Sequence, residues 1–193
     1  MSKLGIFGGT FDPPHIGHLI VARDVLDALG LDRLLFMPAR VPPHKRDRTI
    51  TSADLRLAML RVAVEGDPAL EVSDLELARE GASYSVETLR RLREERPDDE
   101  LFFIIGADQY AELHTWREPE EIARLARLVV IPRGDVEPGD VAPELEPEHD
   151  VVEVTRIALS STEVRERVRQ GRSIRYIVPD GVRAVVEAQA LYL

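Results

Sequence analysis

The chain has 193 residues, 44% of them hydrophobic, which is enough for one buried core and too little for two independently folded domains. Its 35 acidic and 25 basic side chains give a net charge of −10, which argues against a surface that coats nucleic acid or anionic lipid. It contains no cysteine, so disulfides, thiolate catalysis and cysteine-based zinc sites are excluded.

Short β-branched or aromatic runs alternate with longer amphipathic runs along the chain. Strands are predicted at Lys3–Gly8, Arg33–Met37, Leu70–Leu75, Leu101–Ile105, Leu128–Ile131 and Val151–Val154. Helices are predicted at Ile16–Leu29, Ser52–Glu65, Ser85–Glu95 and Glu118–Ala126, between Ser160 and Gly171, and onward from Pro179. The alternation predicts an α/β fold, a Rossmann-like doubly wound parallel sheet in a single domain of residues 1–193. Ligands of such folds bind beyond the carboxyl ends of the strands.

Two loops stand out by charge. Residues 40–48, RVPPHKRDR, form a basic loop that is a candidate anion-binding segment. Residues 135–150 carry seven carboxylates and three prolines without Lys or Arg, a composition typical of a solvated connection. We expect both loops to act as lids over a site.

The segment GIFGGTFDPPHIGH, residues 5–18, joins the first strand to the first helix. Gly8 and Gly9 are predicted to let the backbone turn sharply and approach a ligand. His15 and His18 share one face at the helix start, where free N–H groups and the positive end of the helix dipole complete a cationic phosphate pocket. The segment lacks the G-x-G-x-x-G fingerprint, which disfavours a dinucleotide cofactor, and no Walker loop occurs.

A lone histidine is more often a capping or core residue than a functional one, but two histidines around a glycine after a Gly-rich turn favour function. A metal site on this pair would need a third ligand such as Asp12, and no metal site is predicted.

A second phosphate-binding pattern lies in ALSSTEVRERV, residues 158–168. Ser160, Ser161 and Thr162 place hydroxyls and backbone N–H groups at a helix start, with Arg165 one turn further on. Alone, this pattern also fits a helix N-cap followed by a surface arginine, so its pairing with the histidine segment is what makes it informative.

Together, GGTFDPPHIGH and LSSTEVR resemble the H-x-G-H nucleotidylyltransferase superfamily, and within it the bacterial nicotinate-mononucleotide adenylyltransferases. The similarity runs through VPPHK at 41–45, SYSVETL at 83–89, FIIGADQYAELHTW at 103–116 and IRYIVPDGV at 174–182. The chain departs from the family pattern at Pro14, where isoleucine is usual, at Leu159, also usually isoleucine, and in PRGD at 132–135, where R-P-G is common.

The resemblance implies transfer of the adenylyl group of ATP to nicotinate mononucleotide, giving deamido-NAD and pyrophosphate, with Mg²⁺ accompanying ATP. It implies that His15, His18 and Arg165 are catalytic. The implied ATP-binding residues are Gly8, Gly9, Thr10, Phe11, His15, His18, Gly106, Asp108, Ser161, Thr162 and Arg165. The implied nicotinate mononucleotide-binding residues are His44, Lys45, Ser83, Tyr84, Ser85, Trp116 and Arg133.

Two of these assignments have structural alternatives. Asp108 suits ribose hydroxyls but also suits a helix N-cap. Trp116, the one tryptophan, suits stacking on an electron-poor pyridine ring but also suits a core position.

Alternatives to the function also remain. They are a sister adenylyltransferase using nicotinamide mononucleotide or phosphopantetheine, a cytidylyltransferase using CTP, and a nucleotide sensor without catalysis. No nucleic-acid or membrane partner is expected, a homo-oligomer is possible, and the lack of a secretory leader or a membrane-length apolar run predicts a cytoplasmic protein.

Overall fold

A computed structural model describes residues 1–40, 50–78, 83–133, 136 and 147–193. The strands are β1 Lys3–Gly9, β2 Arg33–Pro38, β3 Leu70–Val72, β4 Glu100–Gly106, β5 Arg127–Ile131 and β6 His149–Val151. Within the described residues they form one parallel sheet in the order β3-β2-β1-β4-β5-β6. The predicted α/β, Rossmann-like doubly wound fold is confirmed.

The order of the strands reverses between β1 and β4. The chain moves outward from β1 to β3 and then returns to pair β4 with the other edge of β1, so that Phe7 lies opposite Ile104. The carboxyl ends of β1 and β4 therefore meet at the point where a doubly wound sheet opens a crevice for ligands.

Helices cover both faces of the sheet. They are α1 Ile16–Leu29, α2 Ala53–Ala63, α3 Ser85–Glu95, α4 Ala107–Ala111, α5 Pro119–Leu125, α6 Ser161–Arg169 and α7 Asp180–Ala188, with a 3-10 turn at Leu113–Thr115. The predicted bounds of α1 and α3 are confirmed, whereas α4 and the 3-10 turn were not predicted because each is too short to show a helical period.

Three apolar clusters hold these layers together. One packs α3, α4 and α5 on one face of the sheet, and a second packs α1 and part of α2 on the opposite face. A third, with Met59, Val164, Val182 and Val186 at its centre, joins α2 to α6 and α7. Because α6 is anchored to α2 in this way, its first turn lies beside the loop that follows β1.

Two strands, β3 and β6, differ from the predicted bounds by more than one residue at an end. β3 ends at Val72, before the predicted Leu75, because the Ser73 hydroxyl accepts a hydrogen bond from the Leu75 N–H and turns the chain. β6 spans His149–Val151 where Val151–Val154 was predicted, so the two share only Val151. The observed strand includes polar residues whose side chains bond to neighbouring elements, Asp150 to Arg127 and His149 to the Tyr110 hydroxyl. No helix in the described part of the chain is long and apolar enough to cross a membrane.

Candidate active site

The loop between β1 and α1 turns at Phe11 and not at the glycines. Gly8 and Gly9 stay within the strand, so the prediction that they form the sharp turn is wrong. Phe11 has a φ of 50°, in the left-handed region, and its buried ring lies under Gly9. The loop carries Thr10 and Asp12 onward to the start of α1.

His15 and His18 form a stacked pair at the start of α1. His15 is the N-cap residue, and its backbone N–H donates to Nδ1 of His18 at 3.1 Å. The two rings lie 3.7 Å apart with 24° between their planes. Since Nδ1 of His18 accepts a hydrogen bond, the proton of the neutral ring is on Nε2, which is left as a donor.

Both imidazoles are neutral near pH 7. Burial and then the Arg133 guanidinium lower the pKa of His15 to about 4. Burial, His15 and Arg133 hold the pKa of His18 well below its usual range. The predicted cationic histidine pocket is therefore a pair of neutral donors, and the positive charge nearby belongs to arginines.

Gly17 allows the His15 ring to lie against the first turn of α1. A Cβ at this position would lie 3.0 Å from Nδ1 and 3.1 Å from Cε1 of His15, closer than ordinary contact. The glycine of the H-x-G-H pattern thus has a steric role in placing the first histidine.

The start of α6 is attached to the β1–α1 loop. Ser160 caps α6 by accepting from the Glu163 N–H, whereas the Ser161 hydroxyl donates to the Pro13 carbonyl at 2.8 Å. Nη1 of Arg165 donates to the Asp12 carbonyl at 2.7 Å. The alternative of a plain cap with a surface arginine is therefore wrong, because these contacts join segments about 150 residues apart.

Thr162 lies beside Arg165, whose Nη2 donates to the Thr162 hydroxyl at 3.1 Å. The two predicted phosphate-binding patterns, the histidine segment and the start of α6, thus lie at one place in the fold.

The ends of β4 and β5 supply a second polar pair. Gly106, not Asp108, is the N-cap of α4, so the capping alternative for Asp108 is wrong. A Cβ on Gly106 would lie 2.5 Å from Oδ1 of Asp108 and 2.8 Å from Cδ of Arg133. Arg133 Nη1 lies 3.6 Å from Asp108 Oδ2, and both side chains are well exposed. The charge of Arg133 also lowers the pKa of both histidines, so Arg133 lies within electrostatic range of the stacked pair.

Tyr84 and Trp116, two of the residues predicted for the second substrate, lie on the other face of the sheet. Tyr84 is the N-cap of α3, just ahead of Ser85, and the Arg117 guanidinium lies 5.0 Å from its ring. Trp116 is half-buried and meets Phe103 edge to face at 6.3 Å. Trp116 therefore partly fits each of its two predicted positions: one part of the side chain packs on the core, and the rest is accessible for stacking.

Ser83 lies just before α3, and its hydroxyl accepts from the Arg40 N–H at 3.1 Å. His44, Lys45, the basic loop from residue 41 to 48 and most of the acidic loop lie outside the described residues.

Two buried polar residues, Asp12 and Arg56, and the half-buried Tyr192 that contacts Asp12 were not predicted. Asp12 and Arg56 are 5% and 1% exposed, and the Tyr192 hydroxyl donates to Asp12. The sequence pattern indicates Asp12 only as a possible metal ligand. Arg56 lies in a predicted helix whose pattern gives no reason to bury a charge. Among the described residues, no group of three or more His, Cys, Asp or Glu side chains could hold a metal ion.

Comparison with known proteins shows the family of this chain. Residues 6–167 match the cytidylyltransferase-like family. A probable nicotinate-nucleotide adenylyltransferase of Geobacillus thermodenitrificans is 47% identical over 192 residues, covering 100% of this chain and 87% of the relative. One of Thermus thermophilus is 44% identical over 194 residues, covering 98% of this chain and 99% of the relative.

Solved structures share the fold. Plasmodium falciparum nicotinic acid mononucleotide adenylyltransferase complexed with APC has a TM-score of 0.80 at 17% identity, covering 100% of this chain and 98% of that one. The same enzyme complexed with NaAD gives 0.80 at 18% identity with the same coverage. The chain thus belongs to the cytidylyltransferase-like family, and within it to the nicotinate-nucleotide adenylyltransferases.

Proposed function

We propose that this enzyme transfers the adenylyl group of ATP to nicotinate mononucleotide. A 5′-phosphate oxygen of the mononucleotide attacks the α-phosphorus of ATP, a new P–O bond forms, and the bond to the departing pyrophosphate breaks. The products are deamido-NAD and pyrophosphate. The observation that carries the proposal is the stacked pair of His15 and His18, attached through the β1–α1 loop to Arg165 at the point where β1 and β4 meet.

The attacking phosphate is already anionic at neutral pH, so the chain need not supply a nucleophile or general base. Its task is to hold the two phosphates in line and to stabilise the charge that spreads over the α-phosphate and the leaving group. We assign Nε2–H of His18 to an α-phosphate oxygen, because the bond from His15 N–H to Nδ1 orients that ring.

His15, Thr162 and Arg165 are assigned to the β- and γ-phosphates. The hydroxyl of Ser161 is already donated to Pro13, so its contribution to the phosphates is its backbone N–H at the start of α6. Asp108 is assigned to the ribose hydroxyls, beside the exposed end of Arg133, and the backbones of Gly8 to Phe11 line the nucleotide.

Mg²⁺ is assigned to the ATP substrate, where it would neutralise part of the phosphate charge. It favours phosphate oxygens and retained waters over an all-protein cage. We place the reaction in the cytoplasm.

The nicotinate end is assigned to the opposite face of the sheet. The accessible part of Trp116 stacks on the pyridine ring, and the segment from Ser83 to Ser85 at the start of α3 receives the nicotinate carboxylate. Arg133, His44 and Lys45 are assigned to the mononucleotide phosphate. A neutral amide would leave donors placed for a carboxylate unpaired, so the acid is preferred over nicotinamide mononucleotide.

The test is pyrophosphate release by the purified protein with Mg-ATP and one acceptor at a time, with the product identified by mass. The acceptors are nicotinate mononucleotide, nicotinamide mononucleotide and phosphopantetheine, and CTP replaces ATP in a parallel series. We expect the nicotinate substrate to give a kcat/KM at least about tenfold above the others. Turnover only with another acceptor would overturn the substrate assignment, and ATP binding without turnover would favour a nucleotide sensor.

A further inference from the structure

The carboxylate of Asp12 is buried and held from two directions. Its side chain is 5% exposed, next to the turn at Phe11. Oδ1 accepts from the Tyr192 hydroxyl at 2.7 Å, and Oδ2 accepts from the Thr51 N–H at 3.4 Å. The side chain is therefore used to fix the β1–α1 loop, while its backbone carbonyl accepts from Arg165.

Tyr192 reaches this carboxylate because the chain turns back after α7. Ala190 and Tyr192 both have positive φ values, 46° and 66°. A tyrosine in the left-handed region carries a conformational cost, which its surroundings must offset. The Tyr192 ring packs on the third apolar cluster, and its hydroxyl is held by the Asp12 carboxylate. Burial raises the pKa of the phenol, which keeps it a hydrogen-bond donor near neutral pH.

Arg56 makes the position of Asp12 important to the whole site. Its guanidinium, 1% exposed, donates to the carbonyls of Thr10, Ala39, Arg40 and Thr51. These carbonyls belong to the segments that follow β1 and β2 and precede α2. The Asp12 carboxylate raises the pKa of this arginine against the lowering effect of burial, so it supplies a compensating negative charge.

We propose that Tyr192 is a positioning residue for adenylyl transfer, acting through Asp12 on the β1–α1 loop. Its hydroxyl fixes the Asp12 side chain, and the Asp12 carbonyl in turn holds Arg165 over the phosphates. The residues after α7 thereby set the geometry of the ATP site without contacting a substrate. The inference rests on the proposed function for its kinetic readout, and ATP binding tests it independently.

The experiment compares the full-length wild type with Tyr192→Phe, which removes one oxygen and leaves the ring in place. We expect kcat/KM for ATP to fall about tenfold or more, as for the loss of a hydrogen bond to a charged group. The KM for nicotinate mononucleotide should stay within about twofold, because its nicotinate end is assigned to the other face of the sheet. A purely structural role would lower kcat/KM for ATP and raise the KM for nicotinate mononucleotide together, or would lower only the unfolding temperature.

The matched control is Tyr110→Phe, which also removes a buried phenol hydroxyl bonded to a side chain, here Nδ1 of His149. Its kcat/KM for ATP should change by no more than about twofold. Asp12→Asn and the variant with both substitutions complete a double-mutant cycle with Tyr192→Phe. If Tyr192 acts through Asp12, the effects of the two single substitutions on kcat/KM for ATP should be strongly non-additive.

Calorimetric binding of the non-hydrolysable analogue α,β-methylene-ATP separates this inference from the proposed function. If the wild type turns over no acceptor, the proposed function fails, and the analogue alone decides the role of Tyr192. A rise of its Kd beyond about twofold in Tyr192→Phe supports the inference. An unchanged Kd together with unchanged kcat/KM overturns it, as does strict additivity in the cycle.

Discussion

At the scale of single residues, one backbone hydrogen bond decides what the histidine pair can do. The N–H of His15 donates to Nδ1 of His18, which fixes the protonated nitrogen of His18 as Nε2. The i, i+3 spacing predicted that both rings share a face. It could not predict that both rings are neutral, because the burial of His18 depends on contacts with Phe7 and Phe11, and the charge of Arg133, distant along the chain, also lowers both pKa values.

The low pKa of His15 predicts a dependence of stability on pH. The pKa is about 4 in the folded protein against an ordinary value of 6.5, so the unfolded chain takes up the proton first as the pH falls. The contribution of His15 to the free energy of unfolding is fully present above pH 6.5 and declines as the pH falls from 6.5 to about 4. Below about pH 4 it is lost, which lowers the free energy of unfolding by about 3 kcal/mol. His18 adds a contribution of the same sign.

Urea unfolding at pH 5 and pH 7.5, compared between wild type and His15→Asn, measures this loss. The variant should show a smaller drop in the free energy of unfolding between the two pH values. Equal drops in both proteins would show that His15 is not held neutral by the fold.

At the scale of elements, α2 has a role that its sequence does not reveal. Its apolar spacing predicted a helix, and the structure has one with slightly shorter bounds, Ala53–Ala63. The spacing did not predict that Arg56 lies on the buried side of α2, because a charged residue at that position is expected on the solvent-exposed face. Only the convergence of three loop segments on one guanidinium explains the burial.

Arg56→Met should lower the free energy of unfolding by about 3 kcal/mol, because it leaves buried carbonyls without donors and Asp12 without a compensating charge. The matched control is Arg61→Met, one helical turn and one residue further on. Its ion pair with Asp74 is 3.5 Å long and well exposed, so its loss should cost no more than about 0.5 kcal/mol. Urea unfolding measures both, and equal effects would contradict the role given to Arg56.

At the scale of the whole molecule, the sheet brings two groups of residues to the meeting point of β1 and β4. One group, the two histidines with the start of α6, lies on the α1 face, and the other, with Tyr84 and Trp116, lies on the α3 face. Hydrophobic periodicity was enough to predict this architecture. The structure brings the two motifs together, and their role in binding phosphate stays a prediction. Contacts such as Tyr192 with Asp12 join residues 180 positions apart, and no local pattern predicts them.

The central claim is that His18, placed by this architecture, stabilises charge on the transferred phosphate. It is tested most directly by the kcat of deamido-NAD formation in wild type and His18→Ala, with saturating Mg-ATP and nicotinate mononucleotide. Loss of one preorganised donor should lower kcat about 100- to 1000-fold, with the free energy of unfolding reduced by no more than about 1 kcal/mol. A folded variant whose kcat stays within about tenfold of wild type would contradict the account.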